Sequence, residues 1–316
     1  MPESVRLPPH WTRRQRLKND LIYYGIQLSW FVLTQLPTIL QRCLCNGLAK
    51  LGYYVAKKER HLTSQHLLKA FPDLSTPEIE HLSKEMFSHF GQSIFELLNL
   101  EKSVELCLQN PENRPAFDAL KQSLAEKSGA IVVTGHIGNW ELMAQAFSRA
   151  GFPISSVAKP IYDPRLTQWV DRFRGRYGMK TLWRGQSESF KAILRVFREQ
   201  ETFGILIDQD TKVPGDFVLF FGDLAFTPTA AALLHRRTGA PVLVGCHHRI
   251  AGRHRLKLRR IEPRLPLEDP NFDRDFTALL TQHLESAIRE MPAQWVWLHR
   301  RWKTRPVDSA QELGDT

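Results

Sequence analysis

Apolar and polar positions divide this chain into a helical first part and a second part in which strand-like runs alternate with helices. In the first part no residue from Leu21 to Gln41 carries a charge, while Arg13, Arg14, Arg16 and Lys18 precede the run and Arg42 follows it. Its length suits a membrane element, but Gln27, Ser29, Thr34, Gln35 and Pro37 dilute it. The aromatics Tyr23, Tyr24, Trp30 and Phe31 fit a helix lying in the interface. The run therefore reads as an anchor on the cytoplasmic surface, since basic residues ahead of a full span would export everything after it. A buried core helix is the competing account.

Further on, Leu74-Ser75-Thr76-Pro77-Glu78 reads as a helix start. Ser75 stands at the cap, Glu78 closes a capping box and Pro77 is tolerated in the first turn. That helix should run to about Leu98 and bury Ile79, Leu82, Met86, Phe90, Ile94 and Leu97 as one stripe. From Ala130 short β-rich runs appear: Ile131 to Thr134, Ile154 to Val157, Phe203 to Ile207 and Pro241 to Gly245. Their alternation with helical stretches predicts an α/β fold, with a mixed, mainly parallel central sheet covered by helices and functional loops at the strands' carboxyl ends. The domain reading is a membrane-associating helical segment over 1–60, an α/β domain over 61–306 and a flexible tail over 307–316.

Charge sharpens the membrane reading. The 316 residues hold 43 Lys+Arg against 33 Asp+Glu, a formal net charge of +10, which predicts attraction to anionic lipid, phosphate-bearing substrate or nucleic acid. Cys43, Cys45, Cys107 and Cys246 lack the density and spacing of a disulfide framework, so a reducing compartment fits. The stretch to Asp20 is polar and basic and no small-residue cleavage site follows the apolar run, so the N-terminus is expected to stay on the mature protein.

Chemistry concentrates where the run Ala130-Ile131-Val132-Val133-Thr134 ends in Gly135-His136-Ile137-Gly138-Asn139-Trp140-Glu141. This is strand, tight glycine turn, helix. The glycines let the backbone turn and approach a substrate, and they set His136 beside unsatisfied N–H groups whose positive potential favours a neutral imidazole. A neutral imidazole can take a proton from a hydroxyl if a carboxylate orients its other nitrogen. Glu141 is the carboxylate the spacing offers, provided His136 lies in the turn and Glu141 in the first helical turns, because five residues apart on one helix would turn them away from each other. No Gly-x-Ser-x-Gly elbow, Walker loop or dinucleotide fingerprint occurs, and His235, His247, His248 and His254 lack a recognised metal-ligand spacing.

With these residues in hand the chain resembles the bacterial lipid A biosynthesis acyltransferases, the late acyltransferases of lipid A precursors and related glycolipids. The resemblance runs nearly end to end. It rests on the N-terminal apolar run, the segment His66 to Ser75, the block Gly135 to Glu141, Asp208-Gln209-Asp210, Phe220-Phe221-Gly222 with Thr227-Pro228-Thr229, and Trp297 to Pro306. It implies that His136 and Glu141 are a His-x4-Glu catalytic pair, with His136 the general base in a direct transfer that forms no acyl-enzyme.

The resemblance also makes Arg174, Arg176, Arg184, Asp208, Asp210 and Asn139 the candidate substrate-binding set. The arginines would meet the thioester oxyanion or phosphates, or lie on a solvated helix; the aspartates would support the pair, or cap and turn the chain. The basic cluster His299 to Arg305 with Trp295, Trp297 and Trp302 suits a headgroup interface. No metal or organic cofactor is expected. The implied partners are an acyl carrier protein or coenzyme A thioester, a glycolipid acceptor and an anionic membrane surface, not nucleic acid, at the cytoplasmic face of a bacterial inner membrane. Two rivals stay open: the same fold acting on a glycerophospholipid, mannoside or aminolipid, and a non-catalytic membrane-binding protein in which His136 is only a turn residue.

Overall fold

The structure is a computed structural model and describes residues 7–185 and 189–306; the 307–316 tail lies outside the described residues. The uncharged run does not form one helix. Pro37 has no backbone N–H and biases Leu36 away from helical geometry, so α1 (Arg13–Gln35) ends there and α2 (Thr38–Val55) begins. No helix among the described residues is long and apolar enough to cross a membrane.

After α3 (Lys57–Ala70), α4 (Thr76–Leu98) starts where the capping box places it, with Ser75 and Glu78 bonded reciprocally. Its buried stripe differs from the expected one. Phe90 and Ile94 are exposed, whereas Phe87, Gly91 and Phe95 face inward. The cause is a close helix crossing: a Cβ on Gly91 would lie 2.6 Å from Ala49 Cβ and 2.8 Å from the Cys45 carbonyl, so α2 covers α4 along the glycine's face.

The chain continues through α5 (Leu100–Gln109) and α6 (Arg114–Leu124) into the alternating part. There follow β1 (Ala130–Thr134), α7 (Trp140–Arg149), β2 (Ile154–Ala158), α8 (Pro164–Arg174), β3 (Lys180–Trp183), α9 (Ser189–Arg198) and β4 (Thr202–Leu206). Then come β5 (Gly215–Phe220), β6 (Asp223–Pro228), α10 (Ala230–Thr238), β7 (Val242–Ile250), β8 (Arg253–Ile261) and α11 (Phe272–Glu290). Six strands make one sheet in the order β3-β2-β4-β1-β7-β8, parallel except for the antiparallel β7–β8 pair, and β5–β6 form a separate hairpin. The mainly parallel sheet covered by helices is the expected α/β class.

Every residue of β1 is buried, as a central strand covered on both faces requires. Its alternation sends Ile131 and Val133 into one apolar cluster, shared with α4, α10 and α11, and Ala130 and Val132 into another, shared with α5, α6 and α7. The sheet thus lies between two cores, and the carboxyl ends of β1 and β4 open at its edge.

Candidate active site

The strand register brings the site together. β1 and β4 run parallel with Thr134 opposite Leu206, so the residues two steps past each strand end, His136 and Asp208, emerge side by side. His136 Nδ1 lies 2.9 Å from Asp208 Oδ1, and the His136 backbone N–H donates to Asp208 Oδ2 at 2.6 Å. The Trp295 indole N–H donates to the same Oδ2 at 2.8 Å.

Asp208 is 2 % exposed. Burial alone would raise its pKa, but His136 and these hydrogen bonds outweigh it and hold the carboxyl well below the usual carboxylate range. An ionised Asp208 only accepts, so the His136 nitrogen facing it carries the proton and Nε2 is left with its lone pair.

Both glycines have a steric reason. A Cβ on Gly135 would stand 2.8 Å from Asp208 Oδ2, so only glycine lets the carboxylate close under the turn. Gly138 has φ +60° and a Cβ there would meet the His247 carbonyl oxygen at 2.1 Å. The turn is pinned from outside as well: the Gly138 N–H donates to the Gln294 carbonyl at 2.6 Å, and the Val296 N–H to the His136 carbonyl at 3.2 Å.

In the structure Glu141 bonds Arg174, and the carboxylate bonded to His136 is Asp208. Glu141 sits in the first turn of α7, and its carboxylate is held by the Arg174 guanidinium from the last turn of α8, with Nε donating to Oε2 at 3.0 Å and Nη2 to Oε1. The spacing offered one carboxylate; the sheet supplied another, from a strand distant in sequence.

The other expected site residues separate in the same way. Arg174 and Arg184 line a cavity of about 440 Å³ together with His136, Trp140, Lys159 and Gln209. Apolar walls from Val157, Ile193, Phe203, Ile205 and Leu234 complete it. A narrower apolar pocket of about 70 Å³ shares Trp140, Val157, Arg174 and Leu206 with it and reaches inward to Phe147 and Met179. Arg176 is exposed and lines a different groove, beside Glu101 and Glu105.

Asn139 is buried and caps α7, accepting from the Leu142 N–H at 3.0 Å and donating to Glu96 at 2.9 Å, so it serves the turn and is absent from the cavity lining. Asp210 ties down the C-terminal segment by accepting from the Thr304 N–H and hydroxyl at 2.6 and 2.9 Å. The basic aromatic cluster divides: its tryptophans and Arg301 are internal, while Arg300, Lys303 and Arg305 are exposed. Trp295, Trp297 and Arg301 are fully buried, and Arg301 donates to the Phe226 carbonyl and the Thr227 hydroxyl at 2.5 Å.

Two site residues went unnoticed individually in the sequence. Gln209 Nε2 lies 3.1 Å from His136 Nε2 and 2.7 Å from His299 Nε2, and the two imidazole rings stand edge to face at 4.6 Å. Burial, reinforced by His136, lowers the His299 pKa to about 4 and keeps that ring neutral at pH 7. Both lay inside motifs already singled out, Asp208-Gln209-Asp210 and Trp297 to Pro306, but amide and histidine carried no spacing signal of their own. Among the described residues no group of three metal-capable side chains converges.

Comparison with known proteins adds a lineage. A family described as "Bacterial lipid A biosynthesis acyltransferase" matches residues 10–304. The lipid A biosynthesis lauroyltransferase of Escherichia coli K12 is 26% identical over 96% of this chain and 97% of its own length. The palmitoleoyltransferase of the same strain is 25% identical over 91% and 92%. A phosphatidylinositol mannoside acyltransferase of Mycobacterium tuberculosis is 24% identical over 51% of each chain.

Proposed function

This chain belongs to the bacterial lipid A biosynthesis acyltransferases and is an acyltransferase; from that premise we propose that it moves a fatty acyl chain from a thioester to a glycolipid hydroxyl. The donor would be carried by acyl carrier protein or coenzyme A, and the acceptor would be a lipid A precursor or a related glycolipid. The observation that carries the reading is His136, which lines a cavity with apolar walls and is hydrogen-bonded from behind by the buried Asp208.

In this mechanism the acceptor hydroxyl displaces the Gln209 amide from His136 Nε2 and gives its proton to that nitrogen. Its oxygen attacks the thioester carbonyl directly. Asp208 stabilises the imidazolium through Nδ1–H, as the carboxylate does in Ser-His-Asp enzymes. When the tetrahedral intermediate collapses, the C–S bond breaks and the thiolate takes the proton from His136, so atoms balance without an acyl-enzyme or a cofactor. The Gln209 amide supplies an N–H donor, and the cations Lys159 and Arg184 positive charge, for the oxyanion or for donor phosphates. Glu141 acts through Arg174, fixing the guanidinium where the cavity meets the narrow pocket that would take the acyl tail.

Association with the cytoplasmic face of the inner membrane belongs to the same proposal. Leu17, Leu21, Tyr24, Leu28 and Phe31 form an exposed stripe on α1, and Leu40, Leu44, Leu48, Leu51 and Val55 form another on α2. Such stripes beside the exposed cations Arg13, Arg14, Arg16 and Lys18 suit a helix pair lying on anionic lipid. The test incubates purified protein with acyl carrier protein and coenzyme A thioesters and a lipid A precursor, and weighs the product. Native protein should add one acyl mass and His136→Gln should not; equal yields would remove the mechanism. Acylation of a phosphatidylinositol mannoside instead would favour a mannoside acceptor, a reading the mycobacterial relative keeps in view.

A further inference from the structure

A second cavity, of about 450 Å³, opens where α2, α4 and α5 meet the turn between β7 and β8, and it shares no lining residue with the His136 cavity. Three cations line it, Arg42, Lys102 and Arg249, against one carboxylate, Glu96. Counting those four, the formal charge is three minus one, or +2.

Glu96 is already engaged. It is 2 % exposed and accepts from Arg249 through both oxygens and from Asn139 at 2.9 Å. Burial would raise its pKa, but Arg249 more than offsets that and keeps it ionised. Arg42 and Lys102 form no ion pair among the described residues. The Arg249 side chain is 8 % exposed, yet its Nη1 has no hydrogen-bond partner. A buried guanidinium nitrogen left open costs free energy that an incoming acceptor would recover. His89 and His254 also line the cavity, and burial lowers the pKa of both.

We propose that this cavity binds a phosphate group, either as the free anion or as the headgroup of an anionic lipid. A free phosphate or phosphate monoester carries about −1.5 to −2 at neutral pH, which matches the local charge, and a phosphodiester headgroup carries about −1, which the excess of cations also exceeds. Arginine with lysine, and neutral donors such as Asn46 and Ser88, is the donor set that oxyanions select. The cavity side of α2, with Thr38, Arg42 and Asn46, adjoins that helix's exposed apolar stripe, so a lipid could place its phosphate here and its chains alongside.

Occupancy would reach the catalytic turn by two contacts. Glu96 holds Asn139, the cap of α7, and His254 bonds His247, whose Nδ1 accepts from the Asn139 N–H at 2.9 Å. A ligand that draws Arg249 toward itself loosens Glu96 and with it the residue next to Gly138.

The experiment uses the full chain and two probes. Inorganic phosphate is titrated while 31P line broadening is read, and vesicles of phosphatidylcholine with or without phosphatidylglycerol are sedimented with the protein. Arg42→Gln/Lys102→Gln is compared with Lys50→Gln/Lys57→Gln, which removes equal charge from exposed positions outside the cavity. Circular dichroism confirms that both fold. Loss of at least about tenfold in affinity for the first variant only supports the proposal; the probe that shows it identifies the source. No saturable binding of either probe by native protein, or equal losses in both variants, overturns it. Because the readout is binding, the outcome is independent of acyl transfer at His136.

Discussion

Replacing Asp208 by Asn changes one oxygen for an NH2 group and should disable His136 without emptying the site. Three N–H donors converge on this carboxylate: the His136 backbone and the Trp295 indole on Oδ2, and His136 Nδ1 on Oδ1. An amide keeps one acceptor oxygen. Placing it under the backbone and indole donors satisfies two of the three and turns NH2 toward Nδ1. The imidazole must then present a lone pair at Nδ1 and carry its proton on Nε2, which removes the base from the side that faces the acceptor.

The same replacement in Ser-His-Asp enzymes costs about 10⁴-fold in kcat, or about 5 kcal/mol of transition-state stabilisation. The donor KM should hardly move, because Asp208 does not line the cavity. Lost hydrogen bonds should lower stability by only about 1–3 kcal/mol. Single-turnover transfer from an acyl thioester, followed by mass spectrometry, measures the rate, and thermal unfolding checks the fold. Folded Asp208→Asn protein with native kcat would refute the reasoning.

Other expectations follow from the same geometry. Glu141→Gln and Arg174→Gln should each lower kcat, and the double variant should be little worse than either single, because the two act as one ion pair; additive losses would show separate roles. Gly135→Ala displaces Asp208 and should reduce activity far more than stability, whereas Gly138→Ala meets the His247 carbonyl at positive φ and should cost about 3 kcal/mol or more of stability, read by denaturant unfolding. The folded-state pKa of Asp208 is depressed, so its stabilising contribution is complete above the unfolded value of about 4 and declines as pH falls below it. The stability gap between native protein and Asp208→Asn should therefore be constant above about pH 5 and shrink in acid. His89, His248 and His299 have pKa values lowered to about 4, so folding disfavours their protonation and stability should fall as pH drops from 6.5 toward 4; flat stability there would contradict their burial.

Local signals in the sequence were read well where one element decided them. The capping box at Ser75 and Glu78 set the start of α4, and the short apolar runs located β1, β2, β4 and β7. β8 stayed hidden because its outward positions are mostly arginine and lysine, and only its alternation with His254, Leu256 and Leu258 betrays a strand. β3 is a four-residue edge strand with too little pattern to register. The α4 stripe went astray because Gly91, invisible to an apolar count, sets the close contact with α2.

At the site, His136 and its two glycines were legible because strand, turn and helix are contiguous. The family resemblance put Asp208 in support of the pair, but that it bonds His136 directly was not legible, since this depends on β1 pairing with β4 across more than seventy residues, a fact of topology. Glu141 was the carboxylate near in sequence, and Arg174 claims it in space. In the terminal cluster, whose composition suits a headgroup interface, Trp295, Trp297 and Arg301 are buried in the fold while Arg300, Lys303 and Arg305 stay exposed.

The most direct measurement is the tautomer of His136, read by 15N NMR on histidine-labelled protein near neutral pH, with assignment by His136→Gln. A base poised by Asp208 requires a protonated Nδ1, with a downfield-shifted proton, and an Nε2 resonance typical of a bare ring nitrogen, both lost in Asp208→Asn. A proton on Nε2 in the native enzyme, or a native spectrum unaltered in Asp208→Asn, would contradict it.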